Sequence, residues 1–132
     1  MKKIFVNGTF DIIHRGHVEM LNFAKSLGDH LTVAIDSDNR VKRLKGESRP
    51  VNTMFDRMFY LKNLKSVDDV LYFDSDYDLE KCITWSGATI MVKGSDYKNR
   101  PIIGQNLVEQ VIFYDIEDGY STTKTIQSII NR

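Results

Sequence analysis

The chain has 132 residues, enough for one domain (1–132) with a core of its own, and 42% are hydrophobic against 27% charged, a globular balance without low-complexity tract or repeat. Lysine plus arginine equals aspartate plus glutamate at 18 each, so no overall field draws the chain to nucleic acid or to an anionic membrane, and any anion site must be local. The single cysteine, Cys82, makes no intramolecular disulfide and reads as a small apolar residue packed on a helix.

The opening apolar run Ile4-Phe5-Val6 breaks at Asn7-Gly8, too short for a signal-peptide core or a membrane span. It predicts a buried strand, and a cytoplasmic protein is expected. From Gly16, Val18, Leu21 and Ala24 recur at helical spacing until Gly28 supplies a stop. Leu31-Thr32-Val33-Ala34-Ile35 predicts the second strand. The stretch from Arg40 to Val51 reads as basic and irregular, with Gly46 and Pro50 as breakers. Thr53 then caps a helix running to Leu64, with Met54, Phe55, Met58, Leu61 and Phe59 as its apolar face. Val70-Leu71-Tyr72-Phe73 predicts a third strand, Leu79 to Trp85 a helix, Thr89-Ile90-Met91-Val92 a fourth strand and Val111-Ile112-Phe113-Tyr114 a fifth. A helix from Ser121 or Thr122 to Ile130 closes the chain, with Ile126, Ile129 and Ile130 on one face.

Apolar strands alternating with helices predict an α/β fold: a single Rossmann-like domain with a five-stranded parallel sheet and helices on both faces. Ligands in such sheets bind beyond the carboxyl ends of the strands. That rule points to Asn7-Gly8-Thr9-Phe10-Asp11-Ile12-Ile13-His14-Arg15-Gly16-His17, which leaves the first strand and enters the first helix. Two imidazoles beside free backbone N–H groups at a helix start suit triphosphate oxygens. Imidazole donates a hydrogen bond or a proton near neutral pH, where charge builds on an attacked phosphorus and a leaving pyrophosphate. A zinc site is disfavoured, because Cys82 lies in another helix and His30 starts the second strand.

Gly8-Thr9-Phe10-Asp11 followed by His14-Arg15-Gly16-His17 resembles the nucleotide-binding signature of the cytidylyltransferase-like superfamily. Gly119-Tyr120-Ser121-Thr122-Thr123-Lys124 resembles the serine-threonine segment that binds the triphosphate there, and an ordinary helix cap would use the same residues. Lys42, Arg43, Lys45, Arg49 and Arg57 concentrate positive charge between the motifs. The resemblance matches Lys45 and Arg57 to phosphate-contacting positions, with Lys42 as a competitor for the first. Lys42-Arg43-Leu44-Lys45-Gly46-Glu47-Ser48-Arg49-Pro50-Val51-Asn52, Val92-Lys93-Gly94-Ser95-Asp96-Tyr97-Lys98 and Glu117-Asp118-Gly119-Tyr120-Ser121-Thr122-Thr123 look like the heptose-phosphate adenylyltransferase domain of bacterial ADP-heptose synthesis. The neighbouring family, glycerol-3-phosphate cytidylyltransferase, is similar in its histidine motif and its Ser-Thr-Thr-Lys ending, but keeps an arginine where this chain has Ile116.

The resemblance implies a nucleotidylyltransferase that moves AMP from ATP to a sugar phosphate such as heptose 1-phosphate and releases pyrophosphate. CTP with glycerol 3-phosphate is the alternative, and a non-catalytic nucleotide-binding module the alternative of another class. The expected catalytic residues are His14, His17 and Lys45. Nucleotide contacts are expected from Gly8, Thr9, Phe10, Asp11, Gly16, Arg57, Gly119, Ser121, Thr122 and Thr123, and acceptor contacts from Asp38, Lys42, Lys93 and Asp96. Magnesium is expected to be held through the phosphates rather than by direct protein ligands. A homodimer is expected, and a Lys42 to Asn52 segment that closes over the triphosphate.

Overall fold

Side chains on a strand alternate between the two faces of its sheet, so two apolar faces need a strand apolar at every position. In β1 (Lys3–Gly8) Ile4 and Val6 join one core cluster and Phe5 the other. The same alternation divides β2 (His30–Asp36), whose Leu31, Val33 and Ile35 lie with Ile4 while Ala34 lies with Phe5. The computed structural model describes residues 1–116 and 122–131. Its further strands are β3 (Asp69–Phe73), β4 (Ile90–Gly94) and β5 (Gln110–Tyr114), and the five form one sheet in the order β3-β2-β1-β4-β5. Every pairing is parallel, with Val6 opposite Val33, Phe5 opposite Met91 and Met91 opposite Val111.

Helices cover both faces. Met20, Leu21 and Ala24 of α1 (Arg15–Ser26) and Leu61 of α3 (Met54–Lys62) pack on one, and Leu79 and Ile83 of α4 (Asp76–Ser86) pack on the other. The chain is thus a single Rossmann-like α/β domain. Its strand order reverses at β1 and β4, which opens a crevice beyond their carboxyl ends.

Three expectations are corrected. The basic stretch is irregular only in its second half, because Ser37 accepts a hydrogen bond from the Arg40 N–H and nucleates α2 (Asp38–Lys45). On α3, Phe55 and Phe59 are 76% and 64% exposed, and Arg57 takes the buried place beside Leu61. The helix expected from Leu79 starts at Asp76, where Ser75 accepts from the Asp78 N–H. Ile129 and Ile130 of α5 (Thr122–Ile130) are also exposed. Cys82 is half-buried, with its thiol on the Tyr72 carbonyl and its pKa raised by burial, as a packed thiol should be.

Candidate active site

The turn between β1 and α1 is shaped before any ligand is considered. Phe10 holds φ +50°, a strained backbone for an aromatic residue. That conformation brings its ring to 5.0 Å from the His17 ring. It also explains Gly8, where a Cβ would meet the Phe10 ring at 3.0 Å. Asp11 is 1% exposed and anchors the turn from beneath, accepting from the backbone N–H groups of Val51 and Asn52 and from Arg49 Nε. The far end of the basic segment is thereby tied to the turn that leaves β1.

His14 caps α1 and His17 lies in its first turn, with the rings stacked 3.8 Å apart at 21°. The His14 backbone N–H donates to His17 Nδ1 at 3.2 Å. An accepting Nδ1 fixes the proton of the neutral ring on Nε2. Burial, then the neighbouring charges of His14 and Lys45, push His17 down to about 4. His17 is therefore neutral at pH 7, and its Nε2–H is a donor that carries no charge. Burial lowers His14 as well.

A cavity of about 320 Å³ opens over this pair, lined also by Gly8, Thr9, Phe10, Lys93, Gly94 and Asp96. Lys45, from the last turn of α2, completes the cationic side. Although Lys45 is an exposed residue, desolvation of its ammonium, then the charge of Arg49, lowers its pKa. Lys93 is 9% exposed, and burial pushes it down to about 8 against the opposing pull of Asp36 and Asp96. Its ammonium lies 4.7 Å from the centre of the Tyr97 ring, a cation–π contact.

The expected site residues separate into three groups. Gly8, Thr9, Phe10, His14, His17, Lys45, Lys93 and Asp96 share the cavity wall. Asp11, Gly16, Asp38, Lys42 and Arg57 do not. Arg57 is 0% exposed and donates to the carbonyls of Thr9, Asp36 and Asn52 and to Asp38 Oδ1 at 2.8 Å. A guanidinium so engaged fixes the loops after β1 and β2 to α3, and Asp38 is its counter-ion. Gly119 and Ser121 lie outside the described residues, and Thr122 and Thr123 begin α5. Asn7, at the head of the expected turn, and Tyr97, within Val92–Lys98, also line the cavity beside Ile116, although the sequence reasoning assigned neither a role of its own. Asn7 was legible as the last side chain before the Gly8 turn.

Fold and site together define a nucleotidyltransferase domain. Residues 5–128 match the Cytidylyltransferase-like family, and the chain belongs to it. The chain is 49% identical over 128 residues to the Bifunctional protein HldE of Campylobacter jejuni (strain RM1221), covering 97% of this chain and 28% of that protein. It is 48% identical over 130 residues to the HldE of Sulfurimonas denitrificans, covering 97% and 27%. The chain therefore spans little more than a quarter of these relatives' length. Among solved structures, the lipopolysaccharide core biosynthesis protein of Thermoplasma volcanium GSS1 is similar with TM-score 0.72 and 25% identity, over 89% of this chain and 99% of that one. Thermotoga maritima TmcAL, bound with alpha-thio ATP, shares the fold with TM-score 0.57 and 21% identity, over 72% of this chain and 25% of that one. Among the described residues no helix is long and apolar enough to cross a membrane.

Proposed function

We propose that this domain transfers AMP from ATP to the phosphate of a sugar 1-phosphate, heptose 1-phosphate foremost, and releases pyrophosphate. The observation that carries the reading is the stacked His14–His17 pair, 3.8 Å apart, lining one cavity with Lys45 and Lys93. An oxygen of the acceptor phosphate attacks the α-phosphorus in line, and the bond from that phosphorus to the pyrophosphate oxygen breaks. No covalent enzyme intermediate is needed, because the second substrate is itself the nucleophile. The difficulty is to bring two polyanions together, and fixed donors and cations lower that barrier by preorganisation.

His17 Nε2–H and His14 are donors toward the phosphates at the N-terminus of α1. Lys45 and Lys93 offset the charge of the approaching acceptor. Magnesium belongs to the same proposal, with Asp96 as a carboxylate on the cavity wall. The ion would take its oxygens chiefly from phosphates and water, and supplies charge neutralisation there.

Support for ATP over CTP comes from Ile116, an apolar wall residue where the glycerol-3-phosphate cytidylyltransferases keep an arginine. The HldE relatives point the same way, through the resemblance of Val92–Lys98 to the heptose-phosphate adenylyltransferases. A cytoplasmic location and a homodimer belong to the same proposal. The dimer draws on Tyr72 and Trp85, 56% and 65% exposed beside the edge strand β3, and a single-chain mass in solution would remove it. The test is kcat/KM for ATP and CTP, each with heptose 1-phosphate and with glycerol 3-phosphate. ATP with the heptose should win by roughly 10²-fold or more, since a pocket paired to one base leaves its polar groups unpaired with the other. A win for CTP with glycerol 3-phosphate would overturn the substrate assignment and leave the family intact.

A further inference from the structure

A second cavity of about 230 Å³ adjoins the first. Asn7, Gly8, Thr9, Lys45, Lys93 and Tyr97 line both. Beyond this shared wall the two differ in chemistry. The first carries the histidine pair, whereas the second carries Asp36 and Arg40 among Phe73, Leu79, Ile102 and Ile103. None of these six entered the sequence reasoning as a site residue.

Asp36 ends β2 and is 8% exposed. Its Oδ2 accepts from Arg40 Nε at 3.1 Å, and among the described residues Oδ1 accepts from nothing. Arg40 is held at three points: by Asp36, by Asp76 at 2.8 Å through Nη2, and by the Phe73 ring at 5.3 Å. Its Nη1 has no hydrogen bond among the described residues. A rigid guanidinium with a free N–H, next to a carboxylate with a free oxygen, presents a donor and an acceptor side by side. Neighbouring hydroxyls of a polyol have that complement, because each O–H both donates and accepts. The apolar wall suits the C–H face of a sugar ring, and Lys45 and Lys93 stand at the end nearest the first cavity, where a phosphate must lie to be adenylylated.

We infer that the second cavity is the acceptor site, and that Asp36 and Arg40 set its specificity by holding the hydroxyls of a sugar phosphate whose phosphate faces Lys45 and Lys93. The assignment rests on the reaction proposed above. It names the acceptor by chemistry: a polyol phosphate with neighbouring hydroxyls for Asp36 and Arg40 and a C–H face for the apolar wall.

The test is Asp36→Asn, which keeps the side-chain shape and an oxygen for Arg40 Nε. Steady-state kinetics with varied heptose 1-phosphate and varied ATP should show the acceptor KM rising about tenfold or more, the loss expected for a charge-assisted hydrogen bond. The ATP KM should stay within about twofold, because Asp36 does not border the first cavity. Arg40→Lys should behave likewise, with thermal melting to verify its fold. Parallel rises in both KM values, or no rise in either, would overturn the assignment while normal turnover kept the reaction. If the wild-type chain turns over no pair, the reaction falls and calorimetric titration with heptose 1-phosphate alone decides the cavity. Binding that Asp36→Asn weakens keeps the assignment, and absent binding, or binding the substitution leaves unchanged, removes it.

Discussion

The two ends of the sheet solve the problem of charge in opposite ways. At the amino ends, basic groups meet acids: His30 Nε2 is 2.6 Å from Asp69 Oδ2, and Lys25 Nζ is 2.5 Å from Asp68 Oδ2. At the carboxyl ends of β1 and β4, Lys45 and Lys93 make no ion pair among the described residues, and both ammonium groups are shifted toward neutrality. His14 and His17 are stacked on each other rather than on a carboxylate. The first arrangement is satisfied as it stands. In the second, the lysines are left without an ion pair among the described residues, as a site for a phosphate would require. Perturbed groups converging on a cavity mark function more reliably than their residue types do, since both ends of the sheet use histidine, lysine and aspartate.

The sharpest way to break this contrast is to remove one histidine from each end. His17→Ala should lower kcat by roughly 10²-fold or more with the fold intact, the loss of a donor to developing charge. His14→Ala should follow at a slightly smaller factor. His30→Ala should leave kcat within about twofold, because its partner Asp69 opens β3 at the far end of the sheet. Steady-state kinetics on purified, folded variants check all three. Comparable losses at His17 and His30 would erase the distinction between the ends.

Lysine titration gives the next effect. Lys93 loses its proton in the free protein near pH 8 because burial disfavours the ammonium, whereas a bound phosphate favours it. Binding above pH 8 must therefore take up a proton, and affinity falls as pH rises. Between pH 7.5 and 9 the Kd for heptose 1-phosphate should rise by about tenfold, roughly one decade per pH unit above the free pKa. Lys93→Arg, which keeps its charge throughout this range, should flatten that rise. A Kd equally pH-dependent in both would show that another group titrates.

What the sequence made legible follows from how local each signal is. Strands and their faces were readable because apolar runs are contiguous, and the histidine turn because a strand end and a helix start meet within it. The resemblance matched Arg57 to a phosphate contact, whereas its hydrogen bonds to the carbonyls of Thr9, Asp36 and Asn52 were not legible, because only the fold assembles those partners. The start of α2 was hidden in the same way: composition spoke for a basic loop, and one hydroxyl, Ser37, decided for a helix. The second cavity draws on the loops after β1, β2, β3 and β4, and no motif spans those segments.

The smallest effect probes the satisfied end. Asp68 Oδ2 accepts from Lys25 Nζ at 2.5 Å and from the Leu31 N–H at 2.8 Å. Its burial works against ionisation, but these two bonds outweigh it and hold the carboxyl below its ordinary value of 3.8. A carboxylate depressed on folding adds stability that is complete above the unfolded value and is lost as pH falls through the folded one. That contribution should therefore be intact at pH 7 and vanish below 3.8. Both side chains are about 30% exposed, so solvent screens the pair and Lys25→Met should cost less than about 1 kcal/mol at pH 7. Its kcat should match the wild-type value, since α1 carries Lys25 in its last turn and the histidines at its start. Urea unfolding at pH 7 and at pH 3 checks the sign: the difference between wild type and Lys25→Met should shrink at the lower pH. A difference that grew on acidification would mean that Lys25 opposes the carboxylate form of Asp68, and the amino end would no longer count as satisfied.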